Sequence, residues 1–285
     1  MTNSPGNRVA ISENTCYNQI TSAGSAGLYN KAHWGFVRMC KLRRKCKGLY
    51  ITAMSLLLVL AVLCGACLVF LLDCYHADAE AITTFSADAS VKCQTMGQYT
   101  VFIPDNPTAG FVFYPGAKVE HTAYVPLMQA CASEGILCVL VEMPLYFPLI
   151  DGNAAEGIHE FYDEIDTWYI GGHSLGGYAA SGFVADHTDV YDGLILLASY
   201  TSSDLRNADL AVLSIYGSED QIMSRERYSE GVQKLPADYI EIILSGGCHA
   251  YFGMYDGQDG AYARNITNDE QIRMTAHVIA DFIRE

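Results

Sequence analysis

The sequence lacks the groups of cysteine and histidine residues that hold metal ions. No two cysteines after residue 72 have the Cys-x-x-Cys spacing of zinc sites, and the eight histidines are not grouped with them at ligand spacing. We therefore expect no metal site.

Basic residues are scarce in most of the chain. Residues 73–285 contain nine of the 17 Lys and Arg residues but 31 of the 32 Asp and Glu residues. An acidic segment of this kind repels the phosphate backbone of nucleic acids, so we expect no nucleic-acid partner. A hydrophobic content of 51% in 285 residues indicates a folded domain with a real core.

Charge is absent from residues 49–72, an apolar run of 24 positions. As a helix this run would be about 36 Å long, which is enough to cross a hydrocarbon layer of about 30 Å. Six basic residues lie within positions 38–47, whereas acidic residues follow the run. The positive-inside rule then places residues 1–48 in the cytosol and the acidic remainder outside the membrane.

Two other interpretations of this run stay open. A buried core helix is one, although such helices rarely continue this far without a polar face. A cleaved signal peptide is the other, because Ala77-Asp78-Ala79 fits a cleavage site, but the apolar region of a signal peptide is shorter. We predict an uncleaved signal anchor.

The pattern divides the chain into four segments. We predict a basic, disordered cytosolic tail over 1–48, a transmembrane anchor over 49–72, a stalk over 73–97 and a folded domain over 98–285. Within the domain, short apolar runs alternate with amphipathic segments, which predicts an α/β fold with a doubly wound, mostly parallel sheet. The predicted strands are 99–104, 110–114, 136–142, 167–171, 193–199, 211–216 and 239–244, and the predicted helices are 122–134, 153–164, 175–187, 224–234 and 269–284.

A candidate nucleophile lies between a predicted strand and a predicted helix, in Gly172-His173-Ser174-Leu175-Gly176. A sharp strand-to-helix turn strains the backbone of such a serine, and glycines on either side avoid collisions with the neighbouring elements. The turn presents the hydroxyl at the end of the strand. We predict that Ser174 is a catalytic nucleophile; the alternative is a glycine-rich turn that only packs.

A serine nucleophile needs a base, and the base needs an acid that orients it. Among the eight histidines, His249 is the one that directly follows the last predicted strand, so we predict that it is the base. Glu219 and Asp220 both follow the preceding strand and are both candidates for the acid. The order serine, acid, histidine along the chain is the order of α/β-hydrolases.

Two backbone N–H groups must stabilise the oxyanion of an acyl-transfer intermediate. The residue after the serine, Leu175, is predicted to supply one of them. The Pro-Gly turn that follows the strand at 110–114 is predicted to supply the other. Ala117 is our choice in this turn, with Lys118 as the alternative.

Four motifs carry these residues: YPGAKV at 114–119, GGHSLGG at 171–177, YGSEDQI at 216–222 and GGCHAYFGMY at 246–255. Together they resemble the α/β-hydrolase superfamily, and within it the fold-5 group related to dienelactone hydrolases. The resemblance covers about residues 97–285. It implies a Ser-His-Asp hydrolase that needs no cofactor, and it favours Asp220 over Glu219 as the acid.

The function expected from these features is hydrolysis of an ester or thioester, with a small-molecule or lipid-like substrate of the carboxylesterase or lipase type. Acyl transfer to an envelope component is a close alternative. An extracytoplasmic interaction module that keeps the fold without turnover is an alternative from another class of protein. An intact serine, acid and histidine argue against that module, because binding alone does not need all three.

Overall fold

The fold is described from a computed structural model, which covers residues 13–84, 90–255, 257–258 and 265–285. The chain divides into two compact units, Met1–Cys67 and Leu68–Glu285. Each unit is described by itself.

Helix α1 runs over Glu13–Leu72 and is 60 residues long. Residues 13–48 are therefore helical, which differs from the disordered tail predicted for 1–48; residues 1–12 lie outside the described residues. Residues 13–48 contain no proline, which would interrupt a helix, and their alanine, lysine and arginine residues favour one, although the four glycines of this segment do not.

Part of α1, His33–Phe70, is long and apolar enough to cross a membrane. No side chain in its most apolar stretch is buried in the structure. A core helix would bury these side chains against the rest of the protein. The exposure therefore argues against the buried-helix interpretation, and His33–Phe70 is a candidate membrane span.

The predicted stalk, 73–97, is not an extended linker along its whole length. It contains helix α2 (Ala79–Thr84) and strand β1 (Lys92–Met96). Tyr75 stacks on Tyr255, with ring centroids 5.9 Å apart. The aromatic ring gains more by burial against the domain than it would in a solvated stalk, so part of this segment belongs to the domain.

Eight strands form one sheet in the order β1-β2-β4-β3-β5-β6-β7-β8. Strands β3 to β8 are parallel, whereas β2 pairs antiparallel with both β1 and β4. The sequence predicted all of them except β1, which lacks apolar alternation because it is an exposed edge strand. The remaining strands are β2 (Tyr99–Ile103), β3 (Ala109–Tyr114), β4 (Ile136–Val141), β5 (Trp168–His173), β6 (Gly193–Leu197), β7 (Ala211–Gly217) and β8 (Ile240–Leu244).

Helices cover both faces of the sheet, as a doubly wound fold requires. Successive residues of β3 point to opposite faces, so that Phe111 and Phe113 belong to one hydrophobic core and Val112 to the other. The first core includes residues of α3 and α6, and the second includes residues of α4. The helices are α3 (Val125–Ser133), α4 (Leu175–Val184), α5 (Arg225–Val232) and α6 (Asn268–Arg284).

The prediction of a helix over 153–164 is wrong. This segment forms turns and a short 3-10 helix, and Gly157 has a φ of 68° that an α-helix does not accommodate. Its backbone is held by tyrosines of the core instead. Tyr114 Oη accepts a hydrogen bond from Ala155 N over 2.8 Å, and Tyr191 Oη donates one to Ala155 O over 3.1 Å.

Candidate active site

Ser174 lies at the turn between β5 and α4 with φ 53° and ψ −122°. This is a strained conformation for a residue with a side chain, and the surrounding hydrogen bonds hold it. Ser174 N donates to Leu197 O over 2.9 Å, and Ser199 Oγ donates to Ser174 O over 2.6 Å. Strand β6 therefore fixes the turn from the neighbouring position in the sheet.

The two glycines of the turn allow a close approach of backbones that a larger residue would prevent. A Cβ on Gly172 would lie 2.5 Å from Tyr114 O and 2.6 Å from the carbonyl carbon of Gly176. A Cβ on Gly176 would collide with the backbone oxygens of Tyr114 and Pro115. The turn consequently packs directly onto the segment that follows β3.

Asp220 and His249 come together after β7 and β8. His249 Nδ1 and Asp220 Oδ2 are 2.9 Å apart, and the two side chains are 2% and 0% exposed. The other carboxylate oxygen, Oδ1, accepts hydrogen bonds from Ile222 N and Met223 N over 2.8 and 2.9 Å. Glu219, the other candidate acid, instead accepts a hydrogen bond from Asn265.

Asp220 is held in its ionised form. Burial alone would raise the pKa of this carboxyl, but the hydrogen bond from His249 and those from the backbone of Met223 and Ile222 bring the pKa below its usual value. An ionised Asp220 accepts the proton of His249 Nδ1. In a neutral imidazole, Nε2 is then the unprotonated nitrogen, which is the form that a general base requires.

His249 and Ser174 line one pocket of about 180 Å³. His249 Nε2 is buried and has no hydrogen-bond partner among the described residues, so it is not bonded to Ser174 in this structure. In serine hydrolases the hydrogen bond between the base and the nucleophile is often long before substrate binds. The pocket is also lined by Leu175, Tyr178, Ala198, Ser199, Tyr200, Ile222, Met223, Ser224 and Arg227.

The predicted oxyanion donors differ in their hydrogen bonding. Lys118 N donates to Tyr146 O over 2.7 Å, so its N–H is already used. Among the described residues, no acceptor is found for the N–H of Ala117 or for that of Leu175, the first residue of α4. Of the two residues considered in the Pro-Gly turn, Ala117 therefore has the available donor.

Tyr124 and His173 form a buried contact that sequence reasoning missed. Tyr124 Oη accepts a hydrogen bond from Gly116 N over 3.1 Å and lies 2.7 Å from His173 Nδ1. The ring centroids of His173 and His249 are 4.6 Å apart. His173 is the last residue of β5 and precedes Ser174. Its position beside Ser174 was visible in the sequence, but nothing in the sequence indicated that Tyr124 reaches it from the start of α3.

The sheet topology and the strained serine turn at the end of β5 define the class of α/β proteins with a nucleophile elbow. The family model described as "Alpha/beta hydrolase family" matches residues 110–273, which is more than half of the chain. The chain therefore belongs to the alpha/beta hydrolase family.

Solved structures are similar to this chain in fold. Carboxyl esterase 2 from the mycorrhizal fungus Tuber melanosporum is 11% identical, with 74% of this chain and 91% of that chain covered and a TM-score of 0.53. Dienelactone hydrolase from Anabaena variabilis is 13% identical, with 68% and 98% covered and a TM-score of 0.50. At this identity the likeness concerns the fold. No curated protein matches the sequence.

Proposed function

We propose that this protein is a membrane-anchored serine hydrolase that cleaves an ester or thioester through an acyl-enzyme. The observation that carries the proposal is the buried hydrogen bond between His249 and Asp220, beside a pocket that His249 shares with Ser174. The printed names of the similar structures, an esterase and a dienelactone hydrolase, support the same class of substrate.

The side chains divide the chemistry between them. Ser174 Oγ attacks the carbonyl carbon while His249 Nε2 takes the hydroxyl proton, and Asp220 stabilises the imidazolium that forms. The N–H groups of Leu175 and Ala117 stabilise the oxyanion. His249 then gives its proton to the leaving group, and a water molecule releases the acid from the acyl-enzyme by the same steps in reverse.

Labelling with a fluorophosphonate probe tests the nucleophile in membranes that contain the full-length chain. We expect the wild-type protein to be labelled, Ser174→Ala to give no labelling and His249→Ala to be labelled far more slowly, since loss of either group typically costs on the order of 10⁶ in kcat. Ser133→Ala is the control, because Ser133 is exposed at the end of α3.

Labelling of the Ser174→Ala protein would mean that the probe reacts with a different residue. A folded wild-type protein that is never labelled would contradict the hydrolase and favour an interaction module with this fold. If labelling succeeds, a screen of ester and thioester substrates follows, and product analysis separates release of the free acid from transfer of the acyl group to another molecule.

The candidate span supports an anchoring role for the N-terminal helix. The basic residues before the apolar run and the acidic residues after it favour a cytosolic N-terminal segment and an extracytoplasmic catalytic domain. Protease added to sealed, right-side-out vesicles should therefore digest the domain. Digestion of the domain from the cytosolic side alone would contradict this orientation.

A further inference from the structure

A second pocket adjoins the Ser174 pocket. It has a volume of about 400 Å³ and shares Leu175, Tyr178, Tyr200 and Arg227 with the smaller pocket. Because four residues line both pockets, a molecule whose carbonyl carbon lies at Ser174 can extend into the larger one. The larger pocket is therefore positioned to bind a part of the substrate that does not react.

Two basic residues of the domain that form no ion pair with a carboxylate in the described structure line this second pocket. Eight Lys and Arg residues of 73–285 lie within the described residues, and four of them form ion pairs with carboxylates: Lys118, Arg206, Arg273 and Arg284. The four without such an ion pair in the described structure are Lys92, Arg225, Arg227 and Lys234. Two of these four, Arg227 and Lys234, line the pocket.

The charged residues that line this pocket have a net charge opposite in sign to that of the domain as a whole. Glu230 is the acidic residue in the lining, and it forms no ion pair with Arg227 or Lys234 within 4.0 Å. The lining therefore carries two positive charges and one negative charge, in a domain whose Asp and Glu residues greatly outnumber its Lys and Arg residues. A locally positive lining of this kind attracts an anion to the pocket.

Arg227 has donors left for a ligand. Its Nη1 donates one hydrogen bond to Tyr200 Oη over 3.4 Å, which directs the guanidinium toward the residues that line both pockets. A guanidinium carries five N–H donors in a planar fork, and two parallel donors match a carboxylate or phosphate group. The contact with Tyr200 leaves most of these donors available.

We propose that the pocket formed by Tyr178, Tyr200, Arg227 and Lys234 binds a carboxylate or phosphate group of the substrate, so that the enzyme prefers esters that carry an anionic group away from the reacting carbonyl. This inference rests on the proposed function, since it assigns the substrate class of the same site. Arg227 and Lys234 are specificity-determining residues in this proposal and take no part in bond breaking.

The test compares esters of matched length with the full-length protein in detergent. 4-Nitrophenyl hexanoate is neutral, and the mono-4-nitrophenyl ester of adipic acid has the same chain length with a terminal carboxylate. We expect a lower KM for the anionic ester, and a rise of about tenfold in that KM in Arg227→Gln and in Lys234→Gln. The KM of the neutral ester should change little in Lys234→Gln and should rise less than that of the anionic ester in Arg227→Gln, since Arg227 also lines the Ser174 pocket. Inorganic phosphate and acetate, each added as a competitor, distinguish the kind of anion that the pocket prefers.

Matched controls are Arg273→Gln and Lys92→Gln, which remove one basic side chain each at exposed positions outside the lining of either pocket. Both should keep the wild-type preference. Equal losses for the two esters in Arg227→Gln, or the absence of a preference in the wild type, would overturn the inference. Turnover of the neutral ester without such a preference would leave the hydrolase proposal intact, whereas failure of both esters and of the fluorophosphonate probe would overturn the hydrolase proposal itself.

Discussion

The hydroxyl of Tyr124 lies within hydrogen-bond distance of His173 Nδ1, at 2.7 Å. The same hydroxyl accepts a hydrogen bond from Gly116 N over 3.1 Å. Tyr124 thus joins two segments of the site, the turn that carries Ala117 and the turn that carries Ser174. We therefore predict that Tyr124 positions these two segments.

Tyr124→Phe should slow the reaction at Ser174 without abolishing it. The substitution leaves the buried N–H of Gly116 unpaired, which costs about 1–3 kcal/mol of stability, and it releases the Pro-Gly turn from the elbow. We expect a several-fold decrease in the rate of fluorophosphonate labelling and a lower midpoint of thermal unfolding.

Tyr191→Phe provides the matched control for Tyr124→Phe. Tyr191 is also buried, and its hydroxyl donates to Ala155 O, outside the lining of the Ser174 pocket. It should lose stability but keep the labelling rate. Equal labelling rates in Tyr124→Phe and the wild type would refute the positioning role.

Asp220→Asn should retain the fold and lose most of the activity. An amide in place of the carboxylate would no longer stabilise the imidazolium, and a change of this kind in a Ser-His-Asp hydrolase lowers kcat by about 10⁴. Glu219→Gln is the comparison, since Glu219 bonds to Asn265 and not to His249. The hydrolysis rates of the two variants show which carboxylate orients His249. A larger loss of activity in Glu219→Gln would identify Glu219 as the acid instead of Asp220.

The parallel strands were predictable because their sequences are almost uniformly apolar, as in Ile136-Leu-Cys-Val-Leu-Val141, and burial on both faces requires such sequences. Strand β1 was not predictable on this basis, since Lys92-Cys-Gln-Thr-Met96 is mostly exposed. The segment 153–164 has apolar residues at helical spacing, but hydrogen bonds from distant tyrosines override this local preference.

Within the site, the residues that could be predicted are those in loops after predicted strands. Ser174, Asp220 and His249 each lie in the segment that follows a parallel strand, and the carboxyl ends of parallel strands meet at one edge of the sheet, so their approach to one another could be expected. Tyr124 and Arg227 lie on helical segments, and which way a helix points its side chains depends on packing that a single sequence does not reveal.

Gly176→Ala should destabilise the domain strongly. The added Cβ would overlap the backbone oxygens of Tyr114 and Pro115, and neither backbone can shift without moving β3 or the Pro-Gly turn. We expect a loss of several kcal/mol or failure to fold, seen as loss of the cooperative thermal transition. Gly152→Ala is the control, because a Cβ there meets nothing within 4 Å; a normal transition in Gly176→Ala would mean that the turn is more adaptable than its packing indicates.

His173 should make stability depend on pH on the acidic side of neutrality. Burial, and then the charge of His249, lower the pKa of His173 well below its usual value, although Asp220 opposes this shift. The unfolded chain binds a proton at about pH 6.5, whereas the folded chain does not, so the free energy of unfolding decreases as the pH falls below about 6.5, by up to about 1.4 kcal/mol per pH unit. The lowered pKa of Asp220 acts in the same direction, but only below about pH 4.

His173→Gln should flatten this dependence between pH 6.5 and 5, because glutamine does not titrate. The measurement is urea unfolding of the full-length protein in detergent at several pH values in that interval. The change of the midpoint with pH is then compared between the wild type and His173→Gln. Ser133→Ala serves as the control, since Ser133 is exposed and carries no titrating group, so this variant should keep the slope of the wild type. Parallel pH profiles for His173→Gln and the wild type would contradict a lowered pKa of His173 in the folded protein.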